Sequence, residues 1–95
     1  MEIVLFSKDG CQYCDMMQMA IMKEESIPDG ATFSVITIDE NNIKDYREEF
    51  IEATGSQQIG FPITKIKTVK NEVRYLDYIV GYSLKQLKEI ITKRK

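Results

Sequence analysis

The chain has 95 residues, 43% of them apolar and 29% charged, with a formal net charge of −2. That length accommodates one domain with a modest core, in the composition of an ordinary soluble globular protein. The charge balance gives no general attraction to nucleic acid or to an acidic membrane, and no apolar run approaches the roughly 18 residues of a membrane span. With no histidine in the chain, an imidazole base, a Cys-His protease and a His-ligated zinc are excluded. The first residues open directly on a strand-like run with no basic-then-apolar leader, so a cytoplasmic, reducing setting and a monomer are expected.

In chain order, Glu2 to Phe6 contains the run Ile3-Val4-Leu5-Phe6, which reads as a strand covered on both faces. Gln12 to about Glu25 reads as a helix, with Tyr13, Met17, Ala20, Ile21 and Glu24 at helical spacing. Met16, Met19 and Met22 widen its apolar surface, as for a helix packed against both a sheet and another helix; metal binding and an adaptable groove are the competing uses. Ser26-Ile27-Pro28-Asp29-Gly30 ends that helix, because the residue before proline resists α geometry and Asp-Gly favours a turn. A second strand is expected over Phe33 to Ile38. Asn41 or Asn42 is the expected N-cap of a helix from Ile43 to Thr54, with Gly55 as its stop. Ile43, Tyr46, Phe50 and Ala53 share one face of that helix, and Lys44, Asp45, Arg47, Glu48, Glu49 and Glu52 form its solvated side.

Pro62 to Lys67 and Val73 to Val80 read as two further strands, with Lys70-Asn71 between them suited to a tight hairpin turn. Ser83 is placed to cap the last helix, and Gln86 three residues on completes a capping box. Leu84, Leu87, Ile90 and Ile91 form the inward face, and Lys93-Arg94-Lys95 complements the C-terminal end of the helix dipole. The order β-α-β-α-β-β-α describes a small α/β domain over residues 1–95, with a parallel, right-handed first crossover and an antiparallel last pair of strands.

Both cysteines fall in Ser7-Lys8-Asp9-Gly10-Cys11-Gln12-Tyr13-Cys14, where the first strand gives way to the first helix. A C-x-x-C in that setting reads as a dithiol redox site. The attacking species is the thiolate, and the unpaired N–H groups and positive dipole end of a helix N-terminus favour the anion. Cys11 takes the outer position and Cys14, three residues on, the deeper one on the same face. In that order Cys11 attacks a disulfide and Cys14 resolves the mixed disulfide, while the nearby Lys8 cation favours the Cys11 thiolate. Two inert buried thiols, or half of a zinc site shared with a second chain, are the alternatives that these residues leave open.

The stretch Phe6-Ser7-Lys8-x-x-Cys11-x-Tyr13-Cys14 resembles the active-site segment of glutaredoxins, with Gln12 in the place of the usual proline. The resemblance covers essentially the whole chain and implies the thioredoxin fold: a mixed four-stranded sheet flanked by three helices. It implies that Pro62 follows a cis peptide bond and faces the cysteines across a cleft, leaving the Phe61 backbone to pair with an extended substrate segment. Tyr13 and Phe61 then wall the cleft, and Gly81, Tyr82 and Ser83 contact glutathione.

Two segments depart from the family pattern. Gly60-Phe61 stands where glutaredoxins carry Thr-Val and looks more like the Gly-hydrophobic-Pro segment of thioredoxins. Val80-Gly81-Tyr82-Ser83 keeps one glycine of a Gly-Gly pair. Conversely, the absence of tryptophan removes the Trp-Cys-Gly-Pro-Cys signature of thioredoxin.

The resemblance thus implies a dithiol–disulfide oxidoreductase with no tightly bound cofactor, drawing electrons from glutathione or a flavoprotein reductase. Its substrates would be disulfide-bearing proteins, with ribonucleotide reductase as one instance, or glutathione mixed disulfides. A thioredoxin-type carrier independent of glutathione, and a glutathione-dependent module holding a [2Fe–2S] cluster, are the other functions the resemblance allows.

Overall fold

A computed structural model describes residues 1–95. Its elements are β1 (Glu2–Ser7), α1 (Gln12–Lys23), β2 (Thr32–Thr37), α2 (Ile43–Thr54), β3 (Ile63–Lys70), β4 (Val73–Val80) and α3 (Leu84–Arg94). The strands form one sheet in the order β2-β1-β3-β4. β1 runs parallel to β2, from Glu2 opposite Thr32 to Ser7 opposite Thr37. It runs antiparallel to β3, from Glu2 opposite Lys67 to Phe6 opposite Ile63, and β3 pairs antiparallel with β4. This is the thioredoxin-like α/β architecture that the resemblance implied.

The alternation of β1 explains why helices cover both faces. Ile3 and Leu5 point to one side, where Met17 and Ile21 of α1 and Leu87 and Ile91 of α3 meet them. Phe6 points to the other, against Phe50 of α2, Ile38 and Ile63. Successive strand side chains face opposite ways, so a nearly continuous apolar run is what a doubly covered strand requires. The second core holds an aromatic cluster: the Phe50 ring lies 4.9 Å from Phe6, 5.9 Å from Tyr46 and 5.5 Å from Phe61.

Several local expectations are corrected. α1 stops at Lys23, two residues early, because Glu24 already has extended dihedrals. Its buried stripe is narrow, consisting of Cys14, Met17 and Ile21. Met16, Met19 and Met22 remain 39%, 48% and 63% exposed, and Tyr13 is 62% exposed, so the methionines do not fill core. A stripe at i, i+3 and i+7 is all that a helix on a sheet must bury, and the flank beyond it faces water here.

The start of α2 is organised by Asp39. One of its carboxylate oxygens accepts from the backbone N–H groups of Asn41 (2.8 Å) and Asn42 (3.0 Å). Asn42 occupies the capping position without a side-chain cap bond. Its amide instead accepts from Asp39 N (2.8 Å) and donates to Thr37 O (2.9 Å), fastening the helix to the end of β2. In the hairpin the two residues at positive φ are Asn71 (53°) and Glu72 (65°), one step later than expected. β3 extends to Lys70 because β4 pairs with it over its whole length.

Candidate active site

β1 delivers the chain to one end of the sheet at Ser7, and Gly10, with φ +72°, takes the left-handed conformation that turns it into α1. Cys11 is the N-cap of α1 in extended geometry. Its sulfur accepts from the backbone N–H of Cys14 at 3.1 Å, the position usually taken by a Ser, Thr or Asp oxygen. Cys14 is fully buried, whereas Cys11 is half-buried. The two are joined as a disulfide, so the structure holds the oxidised form, and only the Cys11 sulfur is open to a partner.

Across from Cys11 lies the segment entering β3. Cys11 Sγ is 3.9 Å from Phe61 O, and the Phe61–Pro62 peptide bond is cis, as the resemblance implied. Pro62 O accepts from Gly81 N at 2.8 Å, which draws the loop before α3 to the same end of the sheet. Gly81 has φ +83°, and Ser83 caps α3 by accepting from Gln86 N at 3.2 Å. Cys11, Cys14, Phe61, Pro62 and Gly81 are therefore brought together by direct contacts.

The remaining candidates sit around this centre. Lys8 is exposed and forms no salt bridge; with Phe61 it borders a recess of about 320 Å³ on the α2 side, which also presents Asp39, Glu40 and Arg47. Tyr82 borders a larger groove of about 610 Å³ on the side of α1 and α3, together with Gln12, Met16, Met19 and Leu84. Tyr13 borders neither. Sequence reasoning passed over Arg47 as solvated charge, Asp39 as part of a helix start, and Met16 and Met19 as core. The close spacing of the methionines was the one available signal.

A disulfide at a helix N-terminus, opposite a cis-proline on this sheet, defines the class: a thioredoxin-fold thiol–disulfide centre with one accessible and one buried sulfur. Comparison with known families makes this more specific. The family model described as Glutaredoxin matches residues 3–67, and the chain belongs to the glutaredoxin family. It is a thiol–disulfide oxidoreductase whose redox pair is Cys11–Cys14.

Among solved structures, the chain is similar to the glutaredoxin (grx-1) of Archaeoglobus fulgidus, with TM-score 0.61 and 21% identity over 94% of this chain and 84% of that one. It is also similar to the reduced thioredoxin pre-protein of Schistosoma mansoni, with TM-score 0.55 and 19% identity over 99% of this chain and 78% of that one. At these identities the likeness shows the shared fold. No curated protein sequence matches the chain significantly.

Proposed function

We propose that the protein reduces protein disulfides and glutathione mixed disulfides with Cys11 as nucleophile and Cys14 as resolving thiol, in a reducing cytoplasm. The observation that carries this reading is the 3.1 Å approach of Cys14 N to a half-buried Cys11 sulfur, with the second sulfur buried behind it. In the reduced form the free N–H groups at the start of α1 favour the Cys11 thiolate, and the Lys8 cation adds to the positive potential on that side.

The Cys11 thiolate attacks one sulfur of R–S–S–R′ and expels R′S⁻, leaving Cys11–S–S–R. The Cys14 thiolate then attacks Cys11 Sγ, expels RS⁻ and closes the intramolecular disulfide. Two electrons have passed from the dithiol to the substrate, and the released thiolates take up protons from water. Two molecules of glutathione, or a reduced flavoprotein, restore the dithiol.

Phe61 and Pro62 border the attack path, with the Phe61 carbonyl available to a substrate N–H. Gly81, Tyr82 and Ser83 form the adjoining wall, where the N-terminus of α3 suits a carboxylate of glutathione. Tyr13, exposed beside the cysteines, contributes an apolar rim. The Gly60-Phe61 pair favours the second reading, a carrier recharged by thioredoxin reductase.

The test compares reduction of a glutathione mixed disulfide with glutathione plus its reductase and, separately, with thioredoxin reductase. Turnover with the first supports the glutathione site; turnover with the second alone makes the protein a thioredoxin-type carrier. Cys11→Ser abolishes activity in either format, whereas Cys14→Ser retains the monothiol reaction with glutathione mixed disulfides. Disulfide reduction surviving in Cys11→Ser would overturn the assignment of roles.

A further inference from the structure

We infer that the groove on the flank of α1 is the track on which the polypeptide bearing the target disulfide docks. The protein would then prefer peptide disulfides with a bulky apolar side chain three or four residues from the reactive cysteine. This rests on the disulfide-exchange reading above and specifies its substrate.

The groove begins at Gln12, inside the C-x-x-C, and at Tyr82, next to the glycine bonded to Pro62. From there it follows α1 past Met16 and Met19 towards Lys23. Met16, Met19 and Tyr82 are 39%, 48% and 40% exposed, and contiguous apolar exposure of this kind marks a surface that something covers. Glutathione is poorly matched to it: its two carboxylates, ammonium and glycyl end supply no apolar side chain to fill a methionine-lined floor. A polypeptide joined to Cys11 does supply one, and it must leave the mixed disulfide across the surface beside Cys11.

The lengths agree. Met19 lies seven residue steps beyond Gln12, about 10 Å along the helix axis. The α-carbons of a mixed disulfide lie about 4.4–6.8 Å apart, and an extended chain advances about 3.3 Å per residue. Three or four residues from the target cysteine therefore reach Met16 and Met19. Methionine is unbranched and polarizable, so it accommodates differently shaped anchors. The groove also carries Asp15, Lys23 and Glu24, so an apolar anchor is suited to the stretch at Met16 and Met19 alone. Because the groove leaves the redox centre along α1, it anchors a bound chain on one side of its cysteine.

The experiment uses peptides with a single cysteine blocked as a mixed disulfide with thionitrobenzoate. In matched pairs, Leu or Ala stands third from the cysteine, on its N-terminal side in one pair and its C-terminal side in the other. Cys11 attacks the peptide sulfur, thionitrobenzoate leaves as the more acidic thiol, and Cys14 then releases the peptide thiolate.

The full-length reduced protein should show kcat/KM about tenfold higher for Leu than for Ala in one of the two directions, mainly through KM. The double variant M16Q/M19Q, altered only at exposed positions, should bring that ratio to about twofold or less, in line with the apolar area lost. Equal rates for Leu and Ala in both directions, or a preference that survives in the double variant, would overturn the proposal. So would sedimentation showing a second copy of the chain seated on this face at assay concentration. The symmetrical small disulfide of thionitrobenzoate carries no chain to reach the groove and reports the chemistry alone. Its failure to react would overturn the disulfide-exchange reading, whereas its reaction without a Leu preference overturns only the docking track.

Discussion

Cys11 caps α1, and under the proposed function it is also the nucleophile, so the same N–H groups would serve both. The Cys14 N–H already points at its sulfur in the oxidised form; after reduction the sulfur that replaces a capping oxygen becomes the stabilised anion. The alkylation rate of the reduced protein by iodoacetamide should therefore rise with pH about a midpoint below the 8.5 of a free cysteine, because a stabilised thiolate lowers the pH at which it forms. Mass spectrometry should place the label on Cys11, with buried Cys14 protected. A midpoint at or above 8.5 would remove the helix N-terminus from the mechanism. At this scale the sequence was legible where a residue type has few uses, as with two cysteines three apart. It was misleading where a type has many: Met16, Met17 and Met19 carry the same side chain, yet only Met17 is buried.

Among the elements, α2 depends on the residues just before it. Asp39 accepts two backbone N–H bonds there, and the Asn42 side chain accepts from Asp39 N and donates to the carbonyl of Thr37, the last residue of β2. Asp39→Ala should cost about 1–2 kcal/mol in denaturant unfolding, with Asp39→Asn recovering part of it. The cluster Asp39-Glu40-Asn41-Asn42 announced a helix start from composition alone. Which side chain caps it depended on the turn that brings Asp39 back over Asn42, and spacing does not encode that turn. β4 is tied to α2 differently. Tyr78 donates to a carboxylate oxygen of Glu49 at 3.0 Å, and Lys65 pairs with the same oxygen. Burial first, then the hydrogen bond and the negative charges of Glu49 and Glu52, push the Tyr78 hydroxyl well above its usual range. The unfolded chain therefore loses this proton first, near pH 10. The stability linked to Tyr78 is fully present below that pH and declines as pH rises towards the folded-state value. Tyr78→Phe should flatten the fall in Tm above pH 10. An unchanged alkaline profile would show that other groups govern it.

For the whole molecule, the two cores on opposite faces of the sheet are expected to contribute to function unequally, though either is needed for stability. A domain of this length is typically stable by only about 5–14 kcal/mol. Leu87 is buried between α3 and the sheet, in the core it shares with Met17 and Ile21. Phe50 is equally buried but meets Phe61 edge-on at 5.5 Å, and Phe61 O faces the Cys11 sulfur at 3.9 Å. The element order and the inward faces of α2 and α3 were readable from periodicity, but this asymmetry was not, because it depends on which core residues touch the segment before Pro62. Leu87→Ala should cost about 2–5 kcal/mol and Phe50→Ala about 3–5 kcal/mol, both read from urea unfolding. Under conditions where each variant remains folded by circular dichroism, Leu87→Ala should keep kcat/KM for disulfide reduction within about twofold of the parent. Phe50→Ala should lower it by about tenfold or more, since loosening a wall of the cleft misplaces the groups that position the substrate. Equal losses in the two variants would mean that activity follows global stability alone; a loss confined to Phe50→Ala would locate the coupling in the aromatic cluster that joins α2 to the redox centre.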